Sequence, residues 1–189
     1  MDKIPFMIWL IVVIVVVALL AVAFVVLYNR LVRLRNRADN AWAQVDVQLK
    51  RRYDLIPNLI ETVKGYAAHE AGTFEAVVAA RNSAQRAEGV GDQAGAENIL
   101  TEALRKLFAL AEAYPELRAS ENFQALQGDL SDTEDKIAIS RQIYNDSTLT
   151  YNNSVQTVPT NIVASLTNFK TRAYFEPDGD QRSAPRVEF

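Results

Sequence analysis

The sequence predicts an all-α protein in which an N-terminal single transmembrane helix continues into an antiparallel four-helix-bundle-like cytoplasmic domain. Three observations predict it. Phe6–Leu27 is a run of 22 residues without a charge, nearly all Val, Ile, Leu, Ala or Phe. Beyond it, apolar residues recur at spacings of three and four, the signature of helices with one buried face. Gly and Pro fall mainly at a few breakpoints, and no alternating apolar run bounded by turn signals suggests a strand. The expected organisation is a short extracytoplasmic N-terminus (1–5), a transmembrane helix (6–27), a cytoplasmic bundle (28–175) and a flexible tail (176–189) rich in Pro, Gly, Asp and Ser.

The first element is the membrane helix. At about 1.5 Å per residue it spans roughly 33 Å, enough to cross a hydrocarbon core. Phe6 and Trp9 lie at one end and Tyr28 at the other, where amphipathic rings favour the headgroup level. A cleaved signal peptide is the competing reading, since Ala21-Val22-Ala23 forms an A-x-A pattern and Lys3 precedes it. Phe24–Leu27 carry the apolar run past that site, and the run is too long for a signal core, so an uncleaved anchor is expected. Arg30, Arg33, Arg35 and Arg37 follow with no acid among them, which places the N-terminus outside and the bulk of the chain in the cytoplasm of a single-pass cell-membrane protein. Trp9, Tyr28 and these four arginines form the expected membrane interface, with the lipid bilayer as first partner. Serving as a topology signal would by itself account for the arginines; attraction to anionic lipid, about 1 kcal/mol each, is the alternative.

No breaker separates Leu27 from Arg52, so the membrane helix is expected to run on into the first bundle helix. Its stripe is Leu31, Leu34, Ala38, Trp42, Val45, Leu49, Ile56, Leu59 or Ile60, Val63 and Tyr66, where the helix is expected to end. Pro57 interrupts that stripe without a phase change, which predicts a kink near Leu55–Pro57. A turn at His69–Gly72 precedes a second helix through Phe74, Val77, Val78 and Arg81. Gly89–Gly95, three glycines in seven residues, reads as a loop, with helix resuming over Glu97–Glu112 until Tyr114-Pro115. The next helix has Ser120 as its candidate N-cap and two columns in its coiled-coil-like seam. One is bulky (Phe123, Leu130, Ile137, Tyr144, Tyr151) and the other turns small and polar after Leu126 (Thr133, Ser140, Ser147, Ser154). Val158-Pro159 stops it, and a shorter helix is expected from Thr160 to about Tyr174.

Composition argues against an enzyme. Without cysteine there is no disulfide, thiolate metal site or cysteine nucleophile, and the single histidine, His69, precludes multi-histidine metal sites. His69-Glu70 lacks the second histidine of a metalloprotease helix and reads as complementing a helix dipole. Gly89–Gly95 lacks the lysine and strand context of a phosphate loop, and the Glu-x-x-His of di-metal bundles is absent. No cofactor is expected. Past Arg37 the chain carries 15 bases and 22 acids, which argues against nucleic acid.

Two clusters remain as candidate partner or interhelix contacts. Lys50, Arg51 and Arg52 lie just before the expected kink, with Asp54 and Asn58 after them. Lys50 can pair with Asp46 or Asp54 across one helical turn. Arg52 falls on the apolar stripe between Leu49 and Ile56, so a buried stem with a head bonded to another helix is favoured over a docking surface. The second cluster is Tyr144-Asn145 and Tyr151-Asn152, with Asn153 and Asn161. Such residues either satisfy one another in a buried network or offer amphipathic contacts to a partner, and the core column favours the former.

Several stretches resemble the LemA family: Tyr28–Val32, Arg35–Trp42, Tyr114–Leu117, Glu121–Phe123, Tyr144–Asp146 and above all Asp46–Leu59. The resemblance runs from about residue 25 to 175; Ala38 stands where a larger apolar residue is expected. It implies a bacterial single-pass membrane protein with an external N-terminus and a cytoplasmic four-helix-bundle-like domain. It transfers no catalytic residues. A magnetosome-associated relative implies membrane organisation, and members encoded near membrane metalloproteases imply an accessory role. The expected function is a membrane-anchored, non-enzymatic scaffold whose bundle self-associates as a homo-oligomer or binds a membrane protein. The alternative is an accessory or regulatory subunit of a membrane protease or transporter.

Overall fold

The structure, a computed structural model, describes residues 3–176 and contains no strand among them. Six helices follow one another: α1 (Lys3–Lys64), α2 (Ala71–Arg86), α3 (Val90–Ala111), α4 (Pro115–Arg118), α5 (Glu121–Gln156) and α6 (Thr160–Leu166). The N-terminal part of α1 is the one stretch of the described residues long and apolar enough to cross a membrane, and none of its most apolar stretch is buried. The tail expected from residue 176 onward lies outside the described residues except for Glu176.

The chain divides into two compact units, and both long helices contribute to each: unit 1 comprises Met1–Asn40 with Asp146–Arg172, and unit 2 comprises Ala41–Asn145 with Ala173–Phe189. In unit 1, Leu31, Tyr151, Val163, Ala164 and Phe169 form one buried cluster, with Leu27 and Leu34 packed against it. In unit 2 the core gathers Val45, Leu49, Ile56 and Leu59 of α1, Phe74 and Val77 of α2, Leu100 and Leu107 of α3, Leu117 of α4, and Phe123, Leu130 and Ile137 of α5. Both columns of the α5 seam are buried, the bulky one and the small one alike.

Three local expectations are corrected. Gly89–Gly95 is not a loop: Gly89 alone is left-handed (φ 84°) and caps the start of α3, which begins at Val90. Asp92 in the first turn complements the helix dipole, and burial of Ala94 and Ala96 offsets the poor helix propensity of Gly91 and Gly95. The last helix ends at Leu166, not near Tyr174. Asn168 takes a left-handed φ of 58°, and the Phe169 N–H bonds the Ala164 carbonyl at 2.9 Å, closing a Schellman cap. The cap turns Phe169 into the same cluster as Ala164, the apolar contact that usually accompanies this motif. Finally, α1 ends at Lys64, so Tyr66 lies beyond it and is exposed rather than on a buried stripe; Pro57 stands inside a helix that runs on through it.

The chemistry at Pro57 is compensated from α2. A proline at position 57 has no N–H for the carbonyl of Tyr53, four residues earlier. Arg81 of α2 donates its Nε to that carbonyl at 2.8 Å. An arginine thus replaces the missing backbone donor. Arg81→Met should therefore cost about 1–2 kcal/mol. In a Pro57→Ala background it should cost distinctly less, because the restored amide serves the same acceptor. A double-mutant cycle on the full chain in detergent, followed by circular dichroism during denaturant unfolding, reads the coupling; additive losses would show that Arg81 acts elsewhere.

Candidate functional site

The basic cluster separates by helical phase. Lys50 is exposed and donates to Asp46 at 2.8 Å, one turn back, which raises its ammonium pKa through that hydrogen bond. Arg51 is half-exposed, 3.8 Å from Asp129 of α5, a contact worth little in solvent. Asp54 and Asn58 are exposed. Arg52, between them in sequence, is only 2% exposed.

Around Arg52 the helices of unit 2 build an ionic cluster that pairs both terminal nitrogens of the guanidinium and leaves its buried Nε without a partner. Its guanidinium reaches Glu97 of α3 at 3.1 Å and Glu134 of α5 at 2.9 Å, and donates to the Thr101 hydroxyl at 2.8 Å. The Tyr53 hydroxyl donates to the other Glu97 oxygen in a short hydrogen bond, while Gln93 donates to both at 2.9 Å. Burial, and then the bond to Glu97, push the Tyr53 hydroxyl far above its usual range. Burial also raises Glu134, against the opposing Arg52 charge, and lowers Arg141 despite the nearby carboxylates. A groove of about 340 Å³ lies beside the cluster, floored by Leu104, Phe108 and Leu130. Two carboxylates already match the Arg52 charge, so the groove offers no unspent cation to an anionic ligand.

The Tyr–Asn cluster is equally occupied. In unit 1, Tyr151 donates to the Lys170 carbonyl at 2.8 Å, and the Asn152 amide both donates to and accepts from the Arg172 backbone, at 2.9 and 2.8 Å. In unit 2 the pattern repeats seven residues earlier: Tyr144 donates to the Ala173 carbonyl, and Asn145 makes the same paired bonds with Phe175. Seven helical residues advance about 10.5 Å and three extended ones about 10 Å. A Tyr–Asn pair every two turns of α5 therefore keeps step with every third residue of the non-helical segment 169–176. Trp42 packs on Tyr144 and Phe175, with ring centres 5.2 and 5.9 Å away, and Arg141 lies over the Phe175 ring at 4.3 Å.

The expected membrane-interface residues all lie in unit 1. Trp9 is exposed, and Tyr28 stacks on Phe24 and meets Phe169 edge-on at 5.8 Å. Arg35 lies over the Phe169 ring at 5.0 Å. Arg30, Arg33 and Arg37 are exposed, with no ion-pair partner among the described residues. His69 is exposed in the turn before α2, and among the described residues no three His, Asp or Glu side chains are grouped to hold a metal ion.

Sequence reasoning named Arg52 but not its partners. Glu97 had a legible signal, because it sits on the apolar stripe of α3 three residues before Leu100 and seven before Leu104. An arginine on one stripe and a glutamate on another form a natural buried pair. Glu134, 42% exposed, and Thr101 gave no such signal.

Arg52→Met should destabilise the protein by about 3–5 kcal/mol, since it strands Glu97 in the core, and Arg52→Met with Glu97→Gln should recover part of that loss. Denaturant unfolding of the full chain in detergent reads both; an additive double variant would contradict the pairing. Asn152→Ala should cost about 1–3 kcal/mol and speed hydrogen exchange at the Arg172 amide, while Asn145→Ala does the same at Phe175. Unchanged exchange at those two amides would show that the ladder does not hold the segment.

Comparison with known proteins bears on the same residues. The chain matches the LemA family over residues 41–189, a stretch that contains the ionic cluster and the whole Tyr–Asn ladder. It is 28% identical over 186 residues to magnetosome protein MamQ 2 of Paramagnetospirillum magneticum, covering 81% of this chain and 66% of the relative. It is also 28% identical over 181 residues to magnetosome protein MamQ of Magnetospirillum gryphiswaldense, with the same coverage. The chain thus spans just under two thirds of the length of these curated relatives. With most of its residues inside the family match, the chain belongs to the LemA family.

Proposed function

We propose that this protein is a membrane-anchored, non-enzymatic scaffold. Residues 6–27 cross the bilayer with the N-terminus outside, and residues 28–175 form a cytoplasmic, four-helix-bundle-like domain that self-associates or holds a membrane protein. The single observation that carries this reading is α1. One unbroken helix presents only exposed side chains from Met7 to Val26 and then supplies core residues from Ala41 to Val63. An apolar helix with no protein cover needs lipid, whereas the core of a soluble domain is covered. The arginines after it, with no acid before Asp39, support the orientation.

The polar clusters support a scaffold rather than a catalyst. Arg52, Tyr144, Asn145, Tyr151 and Asn152 spend their polar groups on other parts of the same chain. Contacts with partners then fall to the surface of unit 2, where Ile139 and Ile143 stand exposed one turn apart on α5. The relatives named for the magnetosome fit a role in membrane organisation.

Crosslinking in native membranes should yield multiples of the chain or one defined partner, and Ile139→Glu with Ile143→Glu should reduce that product severalfold. A strictly monomeric, partnerless chain would overturn the scaffold. A cysteine placed at position 2 should react with an impermeant maleimide on intact cells, while one at position 88 should react only after lysis. The reverse pattern would overturn the orientation.

A further inference from the structure

We infer that α6 is a second membrane contact, laying Val158, Ile162 and Leu166 into the interfacial layer of the bilayer that α1 enters. This rests on reading residues 6–27 as the membrane span. All the residues concerned belong to unit 1.

Placement is the first argument. The inner face of α6, Val163 and Ala164, shares one buried cluster with Leu31, and Leu27 packs against it. Leu27 is the last residue of the apolar run, and Leu31 lies about 6 Å further along α1. The short helix therefore docks on α1 just where the apolar run ends, the level at which an interfacial helix would meet the headgroup layer.

The outer face is the second argument. Ile162 and Leu166, one turn apart on α6, are 59% and 73% exposed, and Val158, in the turn before the helix, is 77% exposed. Two large aliphatic side chains on one helical face, with a third in the turn before it, offer an exposed apolar surface suited to acyl chains. In the same unit Tyr28, partly exposed and edge-on to the buried Phe169, is a ring of the kind that favours the headgroup level.

Charge is the third argument and selects lipid over a second apolar protein face. From Ser147 to Phe175 there is no Asp or Glu, and from Tyr28 to Ala38 there is none either. Arg30, Arg33, Arg35, Arg37, Lys170 and Arg172 lie in those stretches, and of these only Arg172 is ion-paired among the described residues, with Asp39. The rest of the chain is acidic. An exposed aliphatic face in a unit where bases outnumber acids seven to three matches an anionic bilayer surface.

The natural chain has no cysteine, so single cysteines can be labelled with the environment-sensitive dye NBD in an otherwise unaltered protein. The full chain carries the label at position 162, 166, 16 or 99, the last an exposed site on α3. It is reconstituted into phosphatidylcholine–phosphatidylglycerol vesicles whose lipids bear a doxyl quencher either near the headgroup or deep in the acyl chain. The expected result is quenching at 16 mainly by the deep group, at 162 and 166 mainly by the shallow group, and at 99 by neither. If 16 is quenched while 162 and 166 behave like 99, the α6 contact is overturned and the span stands. A blue shift at 162 and 166 without lipid quenching means protein covers the face, and overturns the inference equally. An unquenched label at 16 removes the span and this contact together.

Discussion

Backbone hydrogen bonding away from water is the constraint on which this structure depends. Buried carbonyls and N–H groups must be paired, and α1 meets that demand within its own ladder over 62 residues. Pro57 opens one gap in the ladder and Arg81 closes it from α2. Past α6 the chain leaves helical geometry altogether, and there α5 supplies the partners through two Tyr–Asn pairs set seven residues apart. The Schellman cap at Asn168 starts that segment by turning Phe169 inward.

The same logic governs the buried charge. Arg52 holds a position where an aliphatic residue would ordinarily sit, and two glutamates, a threonine and their tyrosine and glutamine neighbours make its burial tolerable. Replacing such a cluster with well-packed aliphatic side chains is often neutral or stabilising, so its presence is weak support for stability as such. What it does supply is register, because Arg52 meets both carboxylates only in one alignment of α1, α3 and α5.

Charge is segregated along the chain in a way the net value of −3 conceals. Unit 1 has seven bases and three acids, unit 2 thirteen and twenty. The basic unit also contains the apolar part of α1 and the exposed aliphatic face of α6, which is the composition a membrane surface recruits. The acidic unit carries the ionic cluster and the larger core. The proposed role at a membrane rests on this division more than on any single residue.

Sequence alone determined the helical class, the apolar segment and the phase of each stripe, because periodicity and charge are local properties that a helix converts directly into faces. It also placed Arg52, Tyr144 and Tyr151 on buried columns. Tertiary structure decided what those residues touch. Glycine content suggested a loop at residues 89–95, but packing of Ala94 and Ala96 outweighed propensity and made it helix. Aliphatic content suggested helix as far as Tyr174, but the ladder on α5 held residues 169–176 in a different conformation. In each case the deciding partner lies far away in the chain, such as Arg81 for Pro57, Glu97 for Arg52 and Asn152 for Arg172, and no local pattern encodes a partner at that distance.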